Sequence, residues 1–428
     1  GTNEDFVRLV DEAHQRGIKV IVDLVMNHTS SQHPWFVASK ADDPDYRDWY
    51  IWVSENPAYL GPWNEKVWNL TGNGFYYSVF WSGMPDLNLR NPEVTAELYD
   101  IIRFWVEEMH TDGFRLDAIK HLIEDGRMQE NTPQTHAWLR EFHNFYKGIN
   151  PEVFTVGEAW TSTAEVLDYT GDEVDIAFAF DLAGAFVATA KGPVIFPVVN
   201  ELTKVVESYP PGQYATFLAN HDQDRLMSQL REVPKAKLAA LMLLTSPGVP
   251  FLYYGEEIGM SGAKPDEDIR RPMQWYADSP GAGFTTGAPW RAPAPDFVDV
   301  NVALQNTEPD SLLNHYRTLI QLRNQYTALR TGAWELVESG SPQIYAYLRQ
   351  QDDEYILVLM NVGSEEVTSV EYGLTLETET LTGPVEARSL WGLENPFLPE
   401  INPAGGFSNY RPFEVIPAQS FAVIQLIP

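Results

Sequence analysis

Arg115 and Asp117 lie two residues apart in the apolar stretch Gly113-Phe114-Arg115-Leu116-Asp117. On a strand both side chains share one face, because side-chain direction alternates from residue to residue. A carboxylate held beside a permanent cation stays ionised and is ready to act as a nucleophile. Taken alone, the pair reads equally well as a structural salt bridge at a strand end. Three further stretches share its design: Val20 to His28, Val153 to Glu158 and Ala215 to Asp222 are apolar runs that end in ionisable or amide groups. Two carboxyls about 5 Å apart can serve as nucleophile and general acid on an acetal, with retention of configuration. Asp117 beside Arg115 fits the ionised partner, and Glu158, near Trp160 at the end of an apolar run, fits the one that burial keeps protonated. Asp222, between Asn220-His221 and Gln223, could hydrogen-bond sugar hydroxyls. The chain has no Gly-rich phosphate loop, no dinucleotide fingerprint and no zinc-binding His-Glu-x-x-His. What remains is carboxylate chemistry.

Groups spread so far along the chain need a scaffold that gathers strand ends. Asn3 to Arg16 has the apolar spacing of a helix, stopped by Gly17, and Ile18 to Val25 reads as a buried strand delivering Asp23, Asn27 and His28. The same alternation predicts helices over 92–110, 136–146, 196–208, 235–245 and 312–329. Strands are expected at 113–117, 153–157, 174–180, 214–219 and 249–254. Helix alternating with strand is the pattern of a parallel sheet, and a closed barrel of this kind collects its chemistry at the strand C-terminal ends. A (β/α)8 barrel needs eight strands and six are counted, so the first two are expected to be missing from this chain.

The alternation lapses twice. Residues 29–91, rich in Trp, Tyr, Pro, Asn and Asp, are too long for a connection and are expected to form an inserted small domain. From Gly332 onward the texture becomes that of antiparallel strands and turns, with Gln350 to Asp353 as a hairpin turn. The expected organisation is therefore barrel at 1–28, inserted domain at 29–91, the rest of the barrel at 92–331, and a C-terminal antiparallel β-sandwich at 332–428. Ser261 to Asp299, rich in Gly and Pro, reads as a long loop near the barrel mouth.

Composition narrows the ligand. With 60 acidic against 29 basic residues the formal charge is −31, which repels nucleic acid and anionic membranes and tolerates a neutral ligand. An aromatic content of 13% suits recognition of flat, weakly polar sugar faces. The absence of Cys removes disulfides, thiolate catalysis and Cys-based metal sites, and no apolar run is long enough to span a membrane. The acid excess fits an extracellular setting, and a monomer is expected.

Four stretches strongly resemble, in order and spacing, the signature stretches of the alpha-amylase superfamily of glycoside hydrolases and transglycosylases. They are Asp23-Leu24-Val25-Met26-Asn27-His28, Gly113 to His121, Gly157-Glu158-Ala159-Trp160, and Phe217 to Asp222. The resemblance implies a retaining mechanism with Asp117 as nucleophile, Glu158 as general acid and base, and Asp222 as transition-state stabiliser. It makes Arg115 the positioner of Asp117, His28 and His221 sugar ligands, Asp23 a structural support, and Lys120 and His121 a pair on the leaving-group side. Met84-Pro85-Asp86-Leu87-Asn88 resembles a fifth signature that mixes the oligo-1,6-glucosidase type with the cyclodextrin- and pullulan-degrading type, as in an intermediate group of bacterial alpha-amylases. The expected activity is endo-hydrolysis of alpha-1,4 bonds in starch and maltooligosaccharides. The alternative is an alpha-glucosidase, an oligo-1,6-glucosidase or a transglycosylase. No organic cofactor is implied; calcium is, through Asn27 and the backbone carbonyl of His121 with carboxylates from the inserted domain.

The remaining conspicuous groups have plainer readings. His14, His33, His143 and His315 are expected to be surface or packing residues, and Glu256 and Glu257 structural or rim residues. Trp63, Trp81 and Tyr59 divide between a sugar-binding wall and the core of the small domain.

Overall fold

Thr2 and Asp5 satisfy each other's backbone N–H groups in a capping box, and the helix they open, Asn3–His14, leads into the strand Ile21–Leu24. The computed structural model describes every residue except 279, 378–380 and 382, and the chain divides into two units, Gly1–Phe178 and Ala179–Pro428.

In the first unit four strands pair in parallel: Ile21–Leu24 with Gly113–Leu116, that strand with Phe154–Gly157, and that in turn with Ile176–Phe178. Gly113 is required where it stands, because a Cβ there would collide with the carbonyl of Phe154 on the neighbouring strand. The helices Pro92–Arg103 and Pro133–Ile149 run between the strands, each with Pro in its first turn and a side-chain cap from Asn91 or Thr132. The first of them does not continue as the α-helix expected to residue 110. It loosens into a π-helical turn at Phe104–Glu108, where Met109 N–H bonds back to the carbonyl of Phe104.

Residues 29–91 hold the helix Pro34–Lys40 and a three-stranded antiparallel sheet of Trp52–Val53, Gly74–Tyr77 and Trp68–Thr71. Its small core is Val67, Trp68, Tyr77 and Val79, with Tyr59 packed against it. Tyr59 is thus a core residue, whereas Trp63 and Trp81 stand 55% and 59% exposed.

The second unit opens with helices Phe180–Lys191 and Phe196–Ser208, then pairs Tyr214–Thr216 in parallel with Val249–Pro250. The helix Val233–Thr245 is apolar almost all round and correspondingly buried. Among its described residues the segment 261–299, expected to be a loop, holds one short helix, Asp266–Ile269, and the helices Val302–Thr307 and Leu312–Gln325 follow it. The C-terminal part is a five-stranded antiparallel sheet in the order Ala333–Val337, Ile344–Gln351, Glu354–Asn361, Phe421–Ile427, Glu386–Gly392, with two smaller strand pairs. These parallel cores and added antiparallel sheets are those of a (β/α)8 barrel lacking its first strands, with an inserted domain and a C-terminal β-sandwich.

Two buried arginines fasten the helices of the second unit to its sheet. Arg323 donates to the carbonyls of Leu244, Ser246 and Gly248, and Arg349 to those of Thr245, Leu329, Gly332 and Ala333. Most of these acceptors lie at or just beyond helix C-termini, where carbonyls lack helical partners and the helix dipole favours a cation. Burial pulls both guanidinium pKa values down to about 10, still well above neutrality.

Candidate active site

Asp23 faces Arg115 across the first two parallel strands, and the backbone hydrogen bonds continue just past the strand ends. Asp117 N–H donates to Leu24, Glu158 N–H to Leu116 and Ile119 N–H to Glu158. After Asp117 the chain turns sharply through Ala118, whose φ of 50° is left-handed. A side chain with a Cβ adopts that conformation at a cost of roughly 1 kcal/mol.

This backbone brings one guanidinium against three carboxylates. An Nη of Arg115 lies 2.6 Å from Asp23 and 2.6 Å from Asp117, and its other Nη pairs with Glu158. The sequence reading places Glu158 in an apolar setting beside Trp160. Instead its neighbour is Arg115, and Trp160 is half exposed. An acid–base residue must cycle between both forms, and the ion pair suits the ionised one, which accepts a proton from water in the second half of a retaining reaction.

The other predicted residues of this unit lie on the same loops. His28 is half-buried, with its ring edge-on to Phe80 at 5.4 Å. Burial holds its pKa below the usual imidazole range, opposed by the charge of Asp117. Lys120 and His121 occupy the short 3₁₀ turn Ile119–His121 and are both buried. Lys120 Nζ is 2.6 Å from Glu130, and His121 Nδ1 is 2.9 Å from the carbonyl of Gln129, with Trp63 and Phe80 against its ring. Glu130 is a partner the sequence pattern does not mark, since it stands in a polar loop ten residues on.

Asn27 is 1% exposed, and neither end of its amide has a partner in hydrogen-bonding geometry. Nearby Asp86 is fully buried, one of its carboxylate oxygens also unpartnered. Burial pushes the Asp86 carboxyl well above its usual range, against the pull of the Val79 N–H. Among the described residues no three His, Cys, Asp or Glu side chains are grouped to hold a metal. Orphaned amide and carboxylate oxygens nevertheless suit a hard, oxygen-seeking cation.

In the second unit, Asp222 and His221 stand on an irregular turn beyond the strand Tyr214–Thr216. His221 Nε2 is 3.2 Å from one carboxylate oxygen of Asp222, and Arg270 is 2.7 Å from the other. Glu256 is fully buried under Tyr316, whose hydroxyl donates to it at 2.8 Å, so its role is internal. His315 is buried likewise, while His14 pairs with Asp112 at 2.7 Å nearer the surface.

Strand-end carboxylates on a parallel barrel, with one arginine touching several of them, are the arrangement of a glycosidase that works through paired carboxyls. Residues 1–332 match the catalytic domain family described as alpha amylase. Alpha-amylase 3 of Dictyoglomus thermophilum is 38% identical over 376 residues, covering 86% of this chain and 72% of that protein. A trehalose synthase/amylase of Mycobacterium tuberculosis is 34% identical over 454 residues, covering 90% and 74%. The crystal structure of an alpha-amylase from H. orenii superposes with a TM-score of 0.81 at 35% identity, covering 99% of this chain and 84% of that one. Further relatives at 31–32% identity are oligo-1,6-glucosidases, a trehalose-6-phosphate hydrolase and a trehalose synthase. The chain belongs to the alpha-amylase superfamily of glycoside hydrolases. It is an enzyme, and its chemistry is that of the retaining glycosidases and transglycosylases that act on alpha-glucosides. Among the described residues no helix is long and apolar enough to cross a membrane.

Proposed function

We propose that the enzyme acts on short alpha-glucosides, as an alpha-glucosidase or oligo-1,6-glucosidase or by glucosyl transfer, with Asp117 as nucleophile, Glu158 as acid and base, and Asp222 as transition-state stabiliser. The observation that carries the choice of short substrates is the state of Lys120. In an endo-acting enzyme Lys120 and His121 would serve the leaving-group side, but Lys120 is buried and paired with Glu130, and His121 is walled by Trp63 and Phe80. Relatives named as trehalose synthases, as a trehalose-6-phosphate hydrolase and as oligo-1,6-glucosidases support the same reading. Endo-hydrolysis of starch remains the second reading, favoured by the amylases at 38% and 35% identity and by Met84 in the fifth signature. That signature also supports a place between the oligo-1,6-glucosidases and neopullulanases.

Product analysis separates the two. With isomaltose, trehalose, maltotriose and soluble starch supplied in turn, the expected result is release or transfer of single glucosyl units from the short sugars, the first product having the alpha configuration. Rapid formation of mixed maltooligosaccharides from starch, with the short sugars untouched, would establish the endo reading instead.

We also propose that Asn27, Asp86 and the backbone carbonyl of His121 hold a calcium ion that stiffens the base of the inserted domain. A bound ion stabilises in proportion to the logarithm of its concentration over Kd, about 2.7 kcal/mol at a hundredfold excess. Exhaustive chelation should therefore lower Tm by several degrees, with calcium restoring it and Asn27→Leu abolishing the response. An unchanged Tm with no metal found by elemental analysis would remove the ion. We further propose an extracellular setting and a monomer, in keeping with the acid excess.

A further inference from the structure

We infer that Arg270 is a positioning residue for Asp222, holding the carboxylate and the turn beneath it in one orientation. The inference rests on the reading of Asp222 as the carboxylate that stabilises the transition state. Asp222 has no strand to fix it: its N–H bonds to the Asn220 side chain at 3.0 Å, and Gln223 N–H reaches the Asn220 carbonyl at 3.3 Å. A short turn closed by those two bonds leaves the carboxylate free to swing.

Arg270 supplies what the turn lacks. Its Nε donates to the carbonyl of His221 at 2.9 Å, and one Nη donates to Asp222 Oδ1 at 2.7 Å. Backbone and side chain are thus gripped by two donors of one rigid fork, which the single ammonium of a lysine cannot reproduce. The same Nη lies 3.2 Å from Asp266, one helical turn earlier, so the arginine is itself braced. The other oxygen of Asp222 faces His221 Nε2 at 3.2 Å.

The base of this arm is fixed on both sides. Tyr253 donates its hydroxyl to the carbonyl of Ile269 at 3.0 Å and Tyr254 to that of Arg271 at 2.6 Å, the residues immediately before and after Arg270. Ile269 is fully buried, and Arg271 is tied to Asp268 and to the carbonyls of Ala292 and Pro293. Arg225 lies against both tyrosine rings at 4.6 and 4.7 Å and bonds the carbonyl of Tyr254. A segment that reads as an aperiodic loop is therefore the mount for an arm that ends on Asp222.

The test is steady-state kinetics on 4-nitrophenyl alpha-glucoside for Arg270→Met, Arg270→Lys, Arg270→Ala, Asp222→Asn and the Met/Asn double variant, with Tm for each. Misplacing a catalytic group by about 1 Å costs on the order of 100-fold. Arg270→Met should lose about that much in kcat with KM moved less than about threefold, and Arg270→Lys should recover only a fraction, for want of the fork. Added guanidinium should restore part of the Arg270→Ala activity where ammonium does not. Arg270→Met should cost nothing further once Asp222 is already Asn, since no carboxylate is left to aim. If Asp222→Asn is crippled while Arg270→Met keeps its kcat, the positioning role is overturned and the reading of Asp222 stands. If Asp222→Asn itself keeps its kcat, it is the reading of Asp222 that fails. Additive losses accompanied by a collapsed Tm in every Arg270 variant would reduce the arginine to a structural brace.

Discussion

Asp117→Ala is expected to lower kcat by about 10⁴-fold or more, equivalent to about 5.5 kcal/mol of transition-state stabilisation, on every alpha-glucoside tested. In a retaining reaction the carboxylate forms the bond to the anomeric carbon as the glycosidic bond breaks, and no water can replace it with the same stereochemistry. Glu158→Gln should behave differently. Its amide cannot donate the proton a poor leaving group needs, so loss on a natural disaccharide should be comparably severe, whereas a glucosyl fluoride, whose leaving group needs little protonation, should still glucosylate Asp117. The intermediate should then persist, because the same residue must later deprotonate the attacking water. Intact-protein mass spectrometry of Glu158→Gln with the fluoride should show one added glucosyl unit on the peptide containing Asp117. Label on any other peptide would reassign the nucleophile. The Arg115 cluster gives this experiment its structural sense: the guanidinium that touches Asp117 also touches Glu158, so the proposed nucleophile and the proposed acid are set from one point.

That cluster was legible in the sequence because strand periodicity fixes which side chains share a face. Arg115 and Asp117 share a face by alternation alone; Asp23 beside the arginine comes from the family resemblance, since alternation within a strand does not fix the register that sets Asp23 opposite Arg115. Helices with strong one-sided patterns were equally readable; Phe196–Ser208 begins and ends as its apolar spacing predicts. Where both faces are buried the period carries no information. Phe180–Lys191, apolar on nearly all sides, shows no helical period in the sequence, and the strand expected at 174–180 runs into its first residue. Strands were overextended in the same way: Val249–Tyr254 shrinks to Val249–Pro250, because the tyrosines beyond leave the sheet to hold the Arg270 arm. Arg270 itself had no signal beyond two adjacent cations before a proline in a strongly acidic chain. Its partners lie 48 and 49 residues away, and no local rule connects them.

Stability should pass through a dome between about pH 4.5 and 6.5, and Glu256→Gln should raise it on the alkaline side alone. Glu256 is sealed beneath Tyr316, and burial pushes its carboxyl from the ordinary 4.5 up to about 8. The folded chain therefore keeps a proton that the unfolded chain releases above pH 4.5. Stability falls as pH rises from there to about 8, by an amount on the order of 4 kcal/mol. His315 works in the opposite sense. Its Nε2 lies 2.9 Å from the carbonyl of Lys237 and its Nδ1 accepts from the Trp391 indole at 3.2 Å, so both nitrogens are engaged as a neutral ring. Protonating Nδ1 would set two donors against each other, and burial brings the pKa from 6.5 down to about 4. The unfolded chain binds a proton that the folded chain refuses, and stability is lost as pH falls from about 6.5 to 4, on the order of 3 kcal/mol. Denaturant unfolding at pH 4.5, 6 and 8 tests both. Glu256→Gln should match the parent at pH 4.5, where Glu256 is protonated folded and half so unfolded, and exceed it by a few kcal/mol at pH 8. His315→Gln should flatten the acid limb while costing some stability at pH 8 through lost packing against Trp391 and Phe421. A difference between Glu256→Gln and the parent that is constant with pH would mean that Glu256 is already ionised in the folded chain, with its charge balanced by Arg225 close by.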